Sequence, residues 1–158
     1  MIKKLNMPTT FILIISCVLI MSSYAASASE MDQAKVLDIK GEAKFMKAGT
    51  TDWKTLELGM ILTEGDSMKT GANSEATLEL SGAKKTAEIV VRKDSEFSFA
   101  TFRHDETAMT DQTLLDVETG GVLVKAEKLL GESKFQVKTP TSIVGIRGTV
   151  FEVYASQA

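Results

Sequence analysis

The sequence is poor in the residues on which most enzyme and metal sites depend: its 158 residues include one cysteine, one histidine and one tryptophan. A nucleophilic triad needs an activating base, and a structural zinc site takes several histidine or cysteine ligands. We therefore predict no enzyme, no metal site and no cofactor. The lone cysteine, Cys17, lies in an N-terminal apolar run, so a chain processed after that run has no disulfide and depends on core packing.

A positive charge excess is missing as well. The formal net charge is −3, from 18 basic and 21 acidic residues. Loss of the first 28 residues would remove Lys3 and Lys4 and no acid, and the net charge would become −5. Nucleic acids and anionic membrane surfaces both attract proteins with a basic field. We therefore expect neither nucleic acid nor a membrane surface as a partner.

The first 28 residues have the three parts of a secretory signal peptide: two lysines, the apolar run FILIISCVLIM, and small residues before either Ala25 or Ala28. The apolar run is shorter than the roughly 20 residues that a membrane span needs. We predict a signal peptide over 1–28, a domain over 29–158, and a periplasmic or secreted protein. The segment IISC also resembles a lipobox that would place a lipid on Cys17, but the apolar run before it would be very short, so ordinary cleavage is favoured.

Period-two alternation of apolar and polar residues continues through the rest of the chain. In EATLELSG, for example, Ala76, Leu78 and Leu80 share one face, and in KFQVK Phe135 and Val137 do. Half-buried strands produce this pattern, because successive side chains point to opposite faces. Turn-forming clusters such as EGD, TGANS and TPTS recur about every ten residues. These features predict an all-β fold, an antiparallel β-sandwich or barrel-like domain of about ten or more short strands.

The segment SIVGIRGTVFEV places an arginine between two glycines inside an apolar strand pattern. In an unbroken strand Arg147 would share a face with Phe151 and Val153, and a buried arginine needs a partner. Two alternatives avoid this: a bulge at Gly148 frees Arg147 to solvent, or Arg147 lies at a sheet edge and binds a carboxylate or carbonyls. We name Arg147, Gly148 and Thr149 as the candidate contact with a partner.

Other candidate sites have simpler interpretations. His104, Asp105 and Glu106 are adjacent, and three neighbouring residues of an extended loop cannot all reach one ion without strain, so a solvated loop is favoured. Trp53, with leucines and an isoleucine nearby, is interpreted as a core residue more readily than as a sugar-stacking platform. Several acids alternate with apolar residues as solvent-facing strand positions do: Asp94, Glu96, Asp116 and Glu118. Four lysines could form a basic stripe, but acids interrupt it and favour a mixed solvated face: Lys125, Lys128, Lys134 and Lys138.

The C-terminal segment resembles the FecR domain, named for an iron-citrate sensor-regulator. The pattern is a glycine, an F-x-V strand, and then T-P followed after six residues by R-G-T-x-F-x-V. Its residues here are Gly121, Phe135, Val137, Thr139, Pro140, Arg147, Gly148, Thr149, Phe151 and Val153. An upstream W…G…G-D…T-G-x-x-S-x-A pattern is similar to a segment that often accompanies these domains. Its residues are Trp53, Gly59, Gly65, Asp66, Thr70, Gly71, Ser74 and Ala76.

The resemblance implies an extracytoplasmic, all-β, non-enzymatic domain that receives a signal from an envelope protein. Since no cytoplasmic domain precedes it, this chain is not expected to be a complete anti-sigma regulator. We expect a protein-interaction module of the cell envelope, with signal relay or regulation as its role. Its partner would be an envelope or membrane protein, or a second copy paired through an edge strand. The alternative is a cell-wall or polysaccharide-binding β domain that uses Trp53.

Overall fold

Alternating burial runs along most strands of this computed structural model, which describes residues 33–81, 85–105, 107, 110–129 and 131–156. Within that part of the chain there are twelve strands and no helix. The strands are β1 (Gln33–Lys40), β2 (Ala43–Met46), β3 (Lys54–Thr55), β4 (Ile61–Leu62), β5 (Ser67–Thr70), β6 (Glu75–Ser81), β7 (Lys85–Val91), β8 (Glu96–Asp105), β9 (Thr110–Ala126), β10 (Lys134–Lys138), β11 (Ile143–Ile146) and β12 (Val150–Ala155).

All twelve strands belong to one sheet that curls into a half-barrel. Its main order is β3-β2-β5-β8-β9-β7-β6-β1-β4, while β10 and β12 add to β9 and β11 adds to β10. Strand β9 therefore divides the sheet into two half-sheets. The first half-sheet consists of β4, β1, β6, β7, the end of β9 and β12. The second consists of β3, β2, β5, β8, the start of β9, β10 and β11.

The 17-residue strand β9 must bend sharply in order to pair with strands of both half-sheets. Lys134 pairs with Gln112, yet only eight residue steps connect Ala126 to Lys134, a reach of at most about 28 Å. A straight strand would put Ala126 about 46 Å from Gln112. The bend lies near Gly120, whose φ is +79°, one residue beyond a register shift opposite Glu96 and Phe97. A glycine is needed because few other residues adopt this φ.

The core is one cluster of buried side chains between the two half-sheets. Leu78 and Ile89 come from the first half-sheet, and Phe97 and Phe135 from the second; each is at most 1% exposed. Phe97 and Phe99 meet edge to face with ring centroids 5.3 Å apart, a favourable arrangement for aromatic pairs. Each such side chain stabilises the fold by about 1.5–3 kcal/mol through burial. The predicted reliance on packing is consistent with this cluster.

Most of the predicted alternation is confirmed. Ala76, Leu78 and Leu80 are buried on β6, and Phe135 and Val137 on β10. A slip of phase expected before Phe102 is present as a register shift between Phe99 and Thr101. The all-β prediction is therefore correct, and so is the barrel-like form.

Three local features depend on pairing partners that the sequence does not show. The register of β1 with β6 shifts between Val36 and Asp38, so Val36 is buried while Leu37 and Asp38 are exposed. The TGG segment at 119–121 is a bend within β9 and not a turn. The polar run 103–113 is mostly strand, because β8 extends to Asp105 and β9 starts at Thr110.

One strand pair departs from the expected antiparallel order. Strand β10 runs parallel to the start of β9, in the register Lys134↔Gln112 to Lys138↔Asp116. The predicted signal peptide, with Ala25, Ala28 and Cys17, lies outside the described residues.

Candidate interaction surface at the turn between two edge strands

Arg147 lies in the turn that carries the chain from one half-sheet to the other. Strand β11 ends at Ile146, which is buried, and β12 begins at Val150, which is exposed. Between them Gly148 has φ +69°, so the strand pattern is interrupted and its phase starts again. Arg147 is consequently exposed. Of the two alternatives for Arg147, release to solvent at Gly148 is the one that the structure adopts.

The turn is packed tightly against the segment that follows β9. A Cβ added at Gly148 would lie 2.8 Å from the Cα of Lys128, closer than real Cβ atoms approach backbone. The Thr149 carbonyl accepts a hydrogen bond from the Ala126 amide at 3.2 Å. Gly148 therefore has a structural role, whereas the side chains of Arg147 and Thr149 are presented to solvent from an anchored backbone.

Both strands that flank the turn are edges of the described sheet. Strand β11 pairs only with β10, and β12 only with β9. An edge strand presents unpaired backbone donors and acceptors, and proteins usually protect it with charge or proline. Strand β11 contains neither, and its Ile143 and Val144 are 62% and 38% exposed. Val150 at the start of β12 is 66% exposed, so Arg147 stands among exposed apolar side chains next to open edges.

The sequence analysis did not identify these apolar residues as part of the surface. Its only signal was the unbroken apolar stretch Ile143–Ile146, which lacks the polar alternation of the other strands. A strand with no polar face is either covered on both sides or exposed at an edge, and only the tertiary structure distinguishes the two.

The upstream motif residues hold turns together. The Asp66 carboxylate is 1% exposed and accepts hydrogen bonds from the amides of Ala48 and Thr63, at 3.0 and 2.9 Å. The Ser74 hydroxyl accepts the Glu42 amide at 2.9 Å. These side chains replace backbone partners that the turns cannot supply. They explain the motif without any ligand.

The Thr70 side chain likewise hydrogen-bonds to backbone groups of the turn after β7. Its hydroxyl donates to the carbonyl of Arg92 and accepts the amide of Ser95 at 3.1 Å. The Ser95 hydroxyl in turn accepts the Gly121 amide at 2.9 Å. This chain of hydroxyls joins β5 to the bend of β9.

The downstream motif residues are structural too, apart from the exposed side chains of Arg147 and Thr149. Phe135 and Val137 belong to the core, and Phe151 packs against it. The Thr139 hydroxyl accepts the Ser142 amide at 3.1 Å and closes the turn that contains Pro140.

Among the described residues, Arg147 makes no ion pair and no side-chain hydrogen bond. The Arg147 side chain therefore has no structural role in the described part of the fold.

Comparison with known protein families gives a match over most of these motif residues. The family model described as FecR protein matches residues 66–158, from the buried Asp66 to the C-terminus. That is more than half of the chain. The chain belongs to the FecR family. FecR domains are regulators of signal transduction at the cell envelope. In the same comparisons no curated protein and no solved structure matched.

The described part of this FecR domain contains no helix long and apolar enough to cross a membrane. Nor do its described residues contain a group of three or more histidine, cysteine, aspartate or glutamate side chains placed to hold a metal ion. His104 instead points its Nδ1 at the Asp111 carboxylate, 2.7 Å away. Glu106, the third residue of the trio considered from the sequence, lies outside the described residues.

Trp53 is not in the core of the fold, contrary to the prediction. Its ring is half-buried, and the Lys69 ammonium lies 4.0 Å from the ring centroid. Leu58 and Ile61 nearby are exposed as well, because β4 is an edge strand only two residues long. The Lys69 ammonium covers one face of the ring, and cation–π contact and sugar stacking use the same kind of surface.

The four lysines of the FecR domain do not form a free basic stripe. Lys125 binds Glu88 at 2.6 Å and Lys138 binds Asp116 at 2.7 Å. Lys128 and Lys134 are exposed. The mixed solvated face expected from the sequence is confirmed, and an exposed pair of this kind contributes about 0–1 kcal/mol.

A row of charged side chains runs across the outer face of the first half-sheet, from β12 to β1. The Arg92 guanidinium lies 2.8 Å from Glu75 and 2.7 Å from Glu152, and Lys40 lies 3.0 Å from Glu75. The hydrogen bond from Lys40, followed by that from Arg92, lowers the pKa of Glu75, and the hydrogen bond from Arg92 lowers the pKa of Glu152. Arg92 thus holds a carboxylate on either side of it.

We expect the protein to lose stability in acid partly through this row. A carboxyl group whose folded pKa lies below its ordinary value of 4.5 stabilises the fold above that pH, and the contribution is lost as the pH falls through the lowered folded pKa. The melting temperature should stay nearly constant down to about pH 6 and then fall below about pH 4.5. In Arg92→Met the fall in melting temperature below about pH 4.5 should be smaller. An identical drop in both proteins would show that the row does not contribute.

Proposed function

We propose that this FecR domain is a non-enzymatic protein-interaction module of the cell envelope, periplasmic or secreted, that relays or regulates a signal by binding an envelope protein. The observation that carries the proposal is the exposed, unpartnered Arg147 on a rigid turn between two edge strands. Most other motif residues discussed above are engaged by the fold, so Arg147, Thr149 and the edges beside them remain for recognition.

The binding mode that suits this surface is addition of an extended partner segment to β11. Main-chain hydrogen bonds to the open edge would provide affinity, and side-chain contacts would provide specificity. Ile143 and Val144 offer an apolar contact. Arg147 offers a planar fork that can bind a carboxylate through two hydrogen bonds. The partner segment is therefore expected to be extended, with an apolar residue close to an aspartate or glutamate.

The charge of the chain supports a protein partner over a polyanion. The net charge is −3, so Arg147 is a local cation on an acidic molecule. Long-range attraction to nucleic acid or to an anionic bilayer needs a broad basic field, whereas one arginine among apolar side chains is typical of a protein contact, where arginine is enriched.

Pairing of β11 or β12 with the same edge of another copy is the competing use of this surface. Unprotected edges pair readily with any compatible strand. The experiment below separates the two, because a homodimer has twice the mass of the chain.

The test places a photo-cross-linking amino acid at Val150 in the full chain, expressed in its native envelope. We expect one discrete cross-linked product with an envelope protein, and we expect Arg147→Ala to reduce it at least tenfold. Lys44→Ala removes one exposed positive charge from β2, at the other end of the second half-sheet, and should leave the product unchanged. A product of twice the chain mass would support self-association instead, and an equal yield from both variants would refute a role for Arg147.

Arg147→Ala should barely affect folding. An exposed side chain without a partner contributes little, so the free energy of unfolding should change by less than about 1 kcal/mol. Urea denaturation of both proteins measures this. A loss of about 3 kcal/mol or more would mean that Arg147 is part of a buried pair, and the loss of cross-linking would then report misfolding.

A further inference from the structure

A second surface feature lies on the outer face of the first half-sheet, away from the Arg147 turn. It is a groove of about 700 Å³ around Tyr154. This volume is within the range of about 300–1,000 Å³ typical of small-molecule sites. Ends of β1, β6, β7 and β12 and the bend of β9 form its walls. We propose that this groove is a binding site for a neutral saccharide, independent of the protein-interaction role.

Tyr154 supplies an open aromatic surface on the groove. Its ring lies over Gly121 of the neighbouring strand: a Cβ added there would be 2.5 Å from Cε1 and 2.7 Å from Cδ1 of the ring. The missing side chain of Gly121 therefore lets the ring rest on the strand. Even so, Tyr154 is 66% exposed. An aromatic ring supported from below and open to solvent can stack on the apolar C–H face of a pyranose. Its hydroxyl is hydrogen-bonded to the Glu152 carboxylate, so the ring face supplies the contact.

Polar side chains without protein partners surround the ring. Among the described residues, Asn73, Lys93, Asp94 and Thr119 line the groove and make no side-chain hydrogen bond. Together they offer an amide, an ammonium, a carboxylate and a hydroxyl, a mixture of donors and acceptors that suits the hydroxyl groups of a sugar. An aromatic surface with a few convergent polar groups is the usual composition of a small-molecule site, in which the polar groups fix the orientation of the ligand.

The charges of the groove favour a neutral ligand. Arg92 is neutralised by Glu75 and Glu152, and Lys40 also binds Glu75. The remaining Lys93 and Asp94 have opposite charges and are adjacent in sequence. The three cations are thus matched in number by three acids, and without a net positive charge the groove does not favour a phosphate or a polyanion.

The backbone at the groove floor argues against an extended peptide. The Gly121 amide donates to the Ser95 hydroxyl at 2.9 Å, and the Gly121 carbonyl accepts the Arg92 amide at 2.9 Å. Strand β9 is also paired on both sides here, with β7 and β12. A peptide would find no open ladder to join on β9, so recognition on the groove floor has to come from the ring and the side chains.

Titration of the ¹⁵N-labelled full chain with chitotetraose and with cellotetraose tests the proposal. We expect shifts at Gly120, Gly121 and Tyr154, with millimolar or tighter affinity for at least one sugar. Tyr154→Ala should weaken binding at least tenfold, whereas Tyr154→Phe, which keeps the ring, should weaken it less than threefold.

Lys93→Ala provides a second variant that leaves the sheet untouched, and it should also weaken binding. Trp53→Ala, which removes a half-buried aromatic ring outside the groove, and Arg147→Ala should both bind as the unmodified chain does. Absence of shifts with both sugars, or equal binding by Tyr154→Ala, would overturn the proposal. Failure here leaves the cross-linking result at Val150 unaffected, so the two proposals stand or fall separately.

Discussion

Replacing Asp66 with alanine is expected to lower the free energy of unfolding by about 3 kcal/mol. The carboxylate is 1% exposed, accepts the amides of Ala48 and Thr63, and lies 2.6 Å from the Lys47 ammonium. Alanine would leave both part-buried amides without their acceptor, and a donor left unsatisfied away from water costs about 1–3 kcal/mol. The loss of the charged partner of Lys47 adds to this.

Thermal and urea denaturation measure the effect, and the melting temperature should fall by about 10 °C. Asp52→Ala is the matched control: Asp52 is exposed, and the change should stay within about 0.5 kcal/mol. Asp66→Asn keeps one acceptor oxygen but loses the charge, so it should fall between the two. A loss below about 1 kcal/mol in Asp66→Ala would mean that water or the backbone replaces the carboxylate.

Gly120→Ala should cost about 3 kcal/mol or more, because it opposes the bend of β9 in two ways. The φ of +79° is unfavourable for alanine, at about 1–2 kcal/mol. The added methyl would also overlap Ser95, including its backbone Cα, and would lie 2.6 Å from the Asp94 carbonyl oxygen. Backbone cannot move aside as a flexible side chain can, and overpacking of this kind costs a further 1–3 kcal/mol or so.

Gly49→Ala separates the two costs. Gly49 has nearly the same φ, +73°, but a Cβ there meets no atom within 4 Å. It should show the conformational cost alone, about 1–2 kcal/mol. The difference between the two variants in urea denaturation then gives the packing cost at the bend. Equal losses would mean that the turn carrying Ser95 adjusts freely, and that the bend is not a rigid element of the fold.

Both variants affect the scaffold and not the proposed binding surfaces directly. Asp66 anchors turns of the second half-sheet, and Gly120 joins the two half-sheets. Because β12 pairs with the segment that begins at Gly120, a weakened bend should also loosen β12 and the Tyr154 groove. Arg147→Ala and Tyr154→Ala, by contrast, remove exposed side chains whose loss should leave the fold intact.

What the sequence determined by itself was local. The alternation at Ala76, Leu78 and Leu80 depends only on the two-residue period of a strand, which each short segment carries within itself. Turn positions such as Gly41 and Pro140 follow from their own φ preferences. The same local information left two alternatives for the environment of Arg147. An arginine on the same strand face as Phe151 had to be either exposed to solvent or bound to a carboxylate or carbonyls.

The tertiary structure decided everything that depends on residues distant in the chain. Which alternative Arg147 takes depends on the packing of Gly148 against Lys128, and whether Ile143 is covered depends on which strand lies beside β11. The TGG segment became a bend and not a turn because β9 serves two half-sheets at once. The Tyr154 ring lies over the neighbouring strand because Gly121, 33 positions earlier in the chain, has no side chain beneath it. The pairing of strands and the covering of a strand by another element are non-local contacts. A period-two pattern does not indicate which strand will lie next to it.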